Sequence, residues 1–109
     1  MVSVWDVANF CIACLESEDI QNGGYIASSE ELVSYDRLVE VFESITSRTL
    51  DVRRQPFSLI KVQNIPLPFP LTEHLVYSGA LLAKTLDYRY MTLVEGMSKT
   101  YDWFLSSKP

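Results

Sequence analysis

The chemistry-bearing side chains of this chain are few, and their spacing limits what they can do. His74 is the single histidine, the only side chain whose ordinary pKa lies near neutrality. It stands four residues before Ser78, a spacing that puts both on one helix face. A His–Ser pair can generate a nucleophile, but no glycine elbow or oxyanion-hole motif surrounds Ser78. His74 is therefore the candidate acid/base, with a helix-surface histidine as the plainer reading. Cys11 and Cys14 form a C-x-x-C. A redox pair places its first cysteine at a helix N-terminus, where the dipole lowers the thiol pKa. Here the pair falls in a second turn, on the stripe of Val7 and Leu15, and reads as packing. A metal would need two further ligands, which one histidine cannot supply, so no metal site is expected.

Arg53 and Arg54 are the one adjacent pair of basic residues, and on a strand they point to opposite faces. One of them, Arg54 in our assignment, can meet a carboxylate or enolate, against a solvated-charge alternative. Tyr77, Tyr88 and Trp5 offer aromatic area with a polar tip, suited to orienting a small ligand, although aromatics at helical spacing most often fill a core. The candidate set is thus His74 for catalysis and Tyr77, Arg54, Trp5 and Tyr88 for substrate binding.

These residues need elements to position them. With 109 residues, 48% of them apolar and 21% charged, the chain suits one globular domain, residues 1–109. Its net charge of −5, without a basic stripe, argues against nucleic acid. No apolar run approaches the ~20 residues that span a bilayer, and no positively charged leader precedes the first apolar stretch, so a cytoplasmic location is expected.

Ser3-Val4-Trp5 reads as a strand end, with Asp6 as the N-cap of a helix carrying Val7, Phe10, Cys11, Cys14 and Leu15. "GYIAS" (residues 24–28) reads as a short buried strand. A second helix starts at Ser34 with Asp36 in its first turn and aligns Leu38, Val41, Phe42 and Ile45. "TLDVRRQPF" reads as a third strand, closed by Pro56. "SLIKVQNIPLPFPL" opens as a short helix and becomes an extended loop through Pro66, Pro68 and Pro70. A helix is expected from Thr72 to about Leu86. Thr92 and Glu95 then form a capping box before a last helix with Val94, Met97, Tyr101, Phe104 and Leu105 inward. The expectation is an α/β (α+β) fold of about four helices and three short strands.

Three consecutive strings carry a family resemblance. "VSVWDVANFCIACLE", "GGYIASSEELVSYDRLVEVFESITSR" and "LDYRYMTLVEGMSKTYDWFLSSKP" resemble, in order, the closing segments of extended short-chain dehydrogenase/reductases, the epimerase, dehydratase and 3β-hydroxysteroid-dehydrogenase-like group. Asp87 stands where that family's leucine-Gly-Tyr phrase has glycine. The resemblance implies the substrate-binding last third of such an enzyme, a truncated piece of its fold. It also implies that what the chain lacks is the cofactor half. None of its four glycines, at 23, 24, 79 and 96, builds the glycine-rich dinucleotide turn, and no tyrosine is followed four residues later by lysine, the family's catalytic pair.

The functional expectation is accordingly the substrate-binding part of an NAD(P)-dependent oxidoreductase or epimerase. Such a part binds no cofactor by itself; NAD(P) enters only with a Rossmann-type partner. The ligand would be a hydrophobic small molecule, and the chain would form a homo-oligomer or pair with the Rossmann partner to cover its apolar face. Two alternatives stand beside it: a cofactor-independent isomerase or cyclase acting on a hydrophobic molecule, and a non-enzymatic binding or interaction module.

Overall fold

The computed structural model describes residues 1–67 and 76–108 and, among them, five helices and no strand. They are α1 (Val4–Glu16), α2 (Tyr35–Thr46), α3 (Phe57–Val62), α4 (Ala80–Leu86) and α5 (Leu93–Ser106). The α/β expectation is corrected to an all-helical arrangement, in which α2 packs on α5 and α1 on α4.

Each missing strand has a local cause. At the first, Ser3 rather than Asp6 is the N-cap: its Oγ accepts the Asp6 N–H at 3.1 Å, so Val4 and Trp5 are already helical. Around "GYIAS" the backbone carries no helix, but a strand is defined by a ladder partner. A single bond, Ser29 N–H to the Met1 carbonyl at 3.0 Å, does not make one. Residues 50–54 run back along α2 and are held by its side chains. Leu50 N–H donates to Glu43 at 2.9 Å and Arg54 to Asp36 at 2.7 Å. Side-chain acceptors have taken the place of a neighbouring strand.

The helices end as their sequences dictate. Ser34 caps α2 by accepting the Arg37 N–H, and Thr92 with Glu95 closes the expected capping box of α5 in both directions. The short helix at the start of the proline-rich stretch is α3. The helix expected from Thr72 starts, within the described part, only at Ala80: residues 76–79 are not helical and Gly79 is the N-cap, while residues 68–75 lie outside the described part. At its C-terminal end Asp87 is left-handed, φ 48°, ψ 51°. Tyr88 N–H reaches the Ala83 carbonyl (2.9 Å) and Asp87 N–H that of Lys84 (3.4 Å), the paired bonds of a Schellman ending.

The packing is open. The radius of gyration is 17.0 Å, against about 13 Å for a compact chain of this length. Its accessible surface is 8664 Å², against about 6,100 Å² for a compact monomer of this mass. Phe10, Val41 and Leu82 are the buried apolar residues among those described, one each on α1, α2 and α4. The inward stripes drawn from the sequence are correctly placed on their helices but incompletely covered: Leu15 is 89% exposed, and Phe42, Val94, Phe104 and Leu105 are also exposed.

Candidate functional site

Two features stand apart from the rest of the surface: a buried polar hub and an apolar cavity. The hub is built on Asp6, whose side chain is fully buried on the third residue of α1. A buried carboxylate persists only if its lone pairs are met. Here the Ser3 hydroxyl donates at 3.0 Å, the Tyr88 hydroxyl at 2.8 Å, and the Met91 N–H at 3.1 and 3.3 Å to the two oxygens. Asn9 in turn donates to the Tyr88 oxygen at 2.9 Å. One carboxylate thus ties the start of α1 to the α4–α5 connector, 85 residues away in the chain.

Aromatic rings close the hub. Phe10 packs on Tyr88 and Tyr90 with centroids 4.6 and 5.0 Å apart, and the two tyrosines meet edge-on at 6.3 Å. Burial raises the Tyr88 hydroxyl pKa above its ordinary value, the adjacent Asp6 adding to it and the Asn9 bond opposing it. Burial likewise raises Tyr90, whose hydroxyl donates to the Gly79 carbonyl at 2.9 Å. Gly79 is required by close approach: a Cβ there would overlap the Ser28 backbone and the Tyr90 oxygen. With both hydroxyls donating to fixed acceptors, the hub clamps α1 to the α4–α5 connector and to Gly79.

Carboxylates recur at the starts of α2, α4 and α5. Glu30 accepts the Gly79 N–H (2.9 Å) and the Ser78 hydroxyl (2.7 Å) before α4, and Glu31 accepts the Leu93 N–H (2.8 Å) at the first residue of α5. Helix N-termini are where phosphates bind. With acids on α1, α4 and α5, and Asp36 in the first turn of α2, those ends are unsuited to a pyrophosphate. The residues present do not fit a nicotinamide dinucleotide.

The second feature is a cavity of about 530 Å³ between α2, α5 and residues 1–4, open on one side. Phe42 of α2 faces Met97, Tyr101, Trp103 and Phe104 of α5 across it. All three methionines of the chain, Met1, Met91 and Met97, line it. Its size suits a small organic ligand, and methionine suits an irregular one.

The sequence-derived candidates lie elsewhere. His74 falls outside the described residues. Tyr77 is exposed in the segment leading to Gly79. The Arg54 guanidinium is bound to Asp36 beside a shallow depression that also includes Val39, Glu40 and Val52. Trp5 donates to the Thr100 hydroxyl at 3.2 Å, with the Lys99 ammonium 4.5 Å from its ring, joining α1 to α5 at the outer side of the cavity. Tyr88 belongs to the hub. None of these four lines the cavity, and among the described residues nothing gathers them into one site. Phe42, Met97, Tyr101 and Phe104 were visible in the sequence as inward stripes; only the pairing of α2 with α5 shows that they enclose a space. Both cysteine thiols are free, and no group of residues able to hold a metal occurs among those described. Nor is any described helix long and apolar enough to cross a membrane.

Comparison of the chain with protein-family models, with curated proteins and with solved structures gave no match.

Proposed function

We propose that this chain is the substrate-binding portion of an NAD(P)-dependent oxidoreductase or epimerase of the extended short-chain dehydrogenase/reductase kind, with cofactor binding and hydride transfer supplied by a Rossmann-type half outside it. The observation that carries this reading is the uncovered apolar surface. Accessible area about 2,500 Å² above that of a compact monomer of 12.4 kDa is more than an independent unit leaves open. A standard protein interface buries about 1,600 Å² in total, so a partner or a second copy is large enough to cover it. Asp87 adds support. Its backbone holds the left-handed conformation that glycine adopts most easily, at the position where the resembled family has glycine.

The division of labour follows from charge. An acidic chain whose helix starts are occupied by its own carboxylates leaves the dinucleotide to other residues and contributes apolar contacts to a substrate. NADPH titration of the purified chain, with mass measured by light scattering in the same buffer, tests this. The expected result is no nucleotide binding and a species heavier than 12.4 kDa. Tight NADPH binding, or a monodisperse species of that mass, overturns the proposal.

A further inference from the structure

The cavity between α2 and α5 says more about its ligand than that it is hydrophobic. We propose that it binds a neutral, predominantly apolar small molecule carrying one hydrogen-bonding group, and that it rejects anions. This deepens the substrate-binding reading above by naming the ligand class.

Apart from Tyr101, each side-chain hydroxyl among the described wall residues is already engaged in at least one hydrogen bond. Thr46 donates to the Phe42 carbonyl (2.7 Å), and Thr100 donates to that of Gly96 (2.9 Å) while accepting from Trp5. Thr92 and Ser3 cap their helices, and Ser29 accepts the Glu31 N–H at 3.2 Å. A ligand with several polar groups would leave most of them short of partners on entry, losing affinity for each. The Tyr101 hydroxyl is the exception: among the described residues it has no hydrogen-bond partner, and it lines the cavity. It can serve one donor or acceptor on the ligand.

Charge sets the second limit. Among the described residues no lysine, arginine or histidine side chain lines the cavity, and the Met1 amino group donates to Ser28 at 3.4 Å. Among the described lining residues the one carboxylate is Glu31, whose position is fixed by the Leu93 N–H. A carboxylate, phosphate or sulfonate entering beside it meets a like charge in a partly desolvated space, with no side-chain cation among the described lining residues to compensate and the Met1 ammonium drawn toward Ser28. The three methionines and Phe42, Trp103 and Phe104 supply adaptable, polarizable area for a ring system or branched hydrocarbon.

Two dyes with one skeleton test both limits: neutral N-phenyl-1-naphthylamine and its 8-sulfonate, anilinonaphthalene sulfonate. The neutral dye is expected to bind at a single saturable site, and the sulfonate about tenfold or more weaker. Glu31→Gln, which keeps an oxygen for Leu93, should narrow that ratio. Phe104→Ala should weaken the neutral dye about tenfold with the helical circular dichroism unchanged, since Phe104 is half-exposed. Met97→Glu should abolish its binding. Leu15→Ala, on an exposed apolar residue outside the cavity, should leave it unchanged.

Equal affinity for the two dyes overturns the proposal. So does loss of binding in Leu15→Ala matching that in Phe104→Ala, which would mark general apolar adsorption. Failure of the neutral dye to bind a self-associated form also overturns it and assigns the face to a second copy. None of these outcomes alters the NADPH result, so the two readings fail separately.

Discussion

The Asp6 hub and the α2–α5 cavity share Ser3 and Met91, yet solve opposite problems. In the hub, a fully buried charge is met by four donated hydrogen bonds and sealed by three aromatic rings. Across the cavity, large apolar side chains face one another with space between them, and Trp103 remains 58% exposed. Polar groups have fixed the positions of the chain's ends and connectors, while the apolar surface that would ordinarily drive folding is only partly used. Directional contacts can be completed within one chain; an apolar face needs area, and here the area must come from a ligand or a partner.

That contrast can be broken at the hub with the largest effect. Asp6→Ala removes the acceptor of the Tyr88 hydroxyl and the Met91 N–H together, and should cost about 3–5 kcal/mol in urea unfolding. Trp103→Ala, at the cavity, should cost under about 1 kcal/mol, since its side chain is already largely solvated. Equal costs would show that the two regions do not differ as described. Next in size, Gly79→Ala forces a methyl group against the Ser28 backbone and the Tyr90 oxygen and should cost about 1–3 kcal/mol.

The tyrosines sharpen the comparison through pH. Their pKa values are raised by burial, so the folded state keeps both protons longer than the unfolded chain. Their contribution is fully present below about pH 10, the ordinary tyrosine value, and is lost as pH rises above it through the folded-state values. Tyr88→Phe and Tyr90→Phe should each flatten this alkaline loss of stability; an unchanged pH profile in both would remove the tyrosines from the hub's energetics. The smallest effect is a gain. Asp87→Gly relieves a left-handed residue and should raise stability by about 0.5–1 kcal/mol, whereas Asp87→Ala should not.

Much of the helical skeleton was legible because its signals are local. Ser34 and the Thr92–Glu95 box mark helix starts through bonds to backbone groups two or three residues away. The stripes of α2 and α5 follow from a period of 3.6. The strands were misread because alternation in "TLDVRRQPF" and apolarity in "GYIAS" describe a sheet position, and a sheet position exists only beside another strand. Asp6 was read as a cap and is instead the third residue of its helix; helix-start chemistry was visible, but not the long-range partners Tyr88 and Met91 that bury it. Trp5 and Tyr88 were singled out for ligand binding and serve as ties between elements, since a polar-tipped ring suits either role.

By itself the sequence determined where α2 and α5 start, the acidic character that disfavours phosphate ligands, and the absence from these residues of a dinucleotide turn. Each of these depends on neighbours along the chain or on composition. Tertiary structure decided that the second and third presumed strands are linkers, that Asp6 joins the first helix to the last connector, and that α2 and α5 enclose an apolar space instead of closing on each other. These depend on which distant residues meet, and hydrogen-bond geometry and packing volume acquire values only once they do.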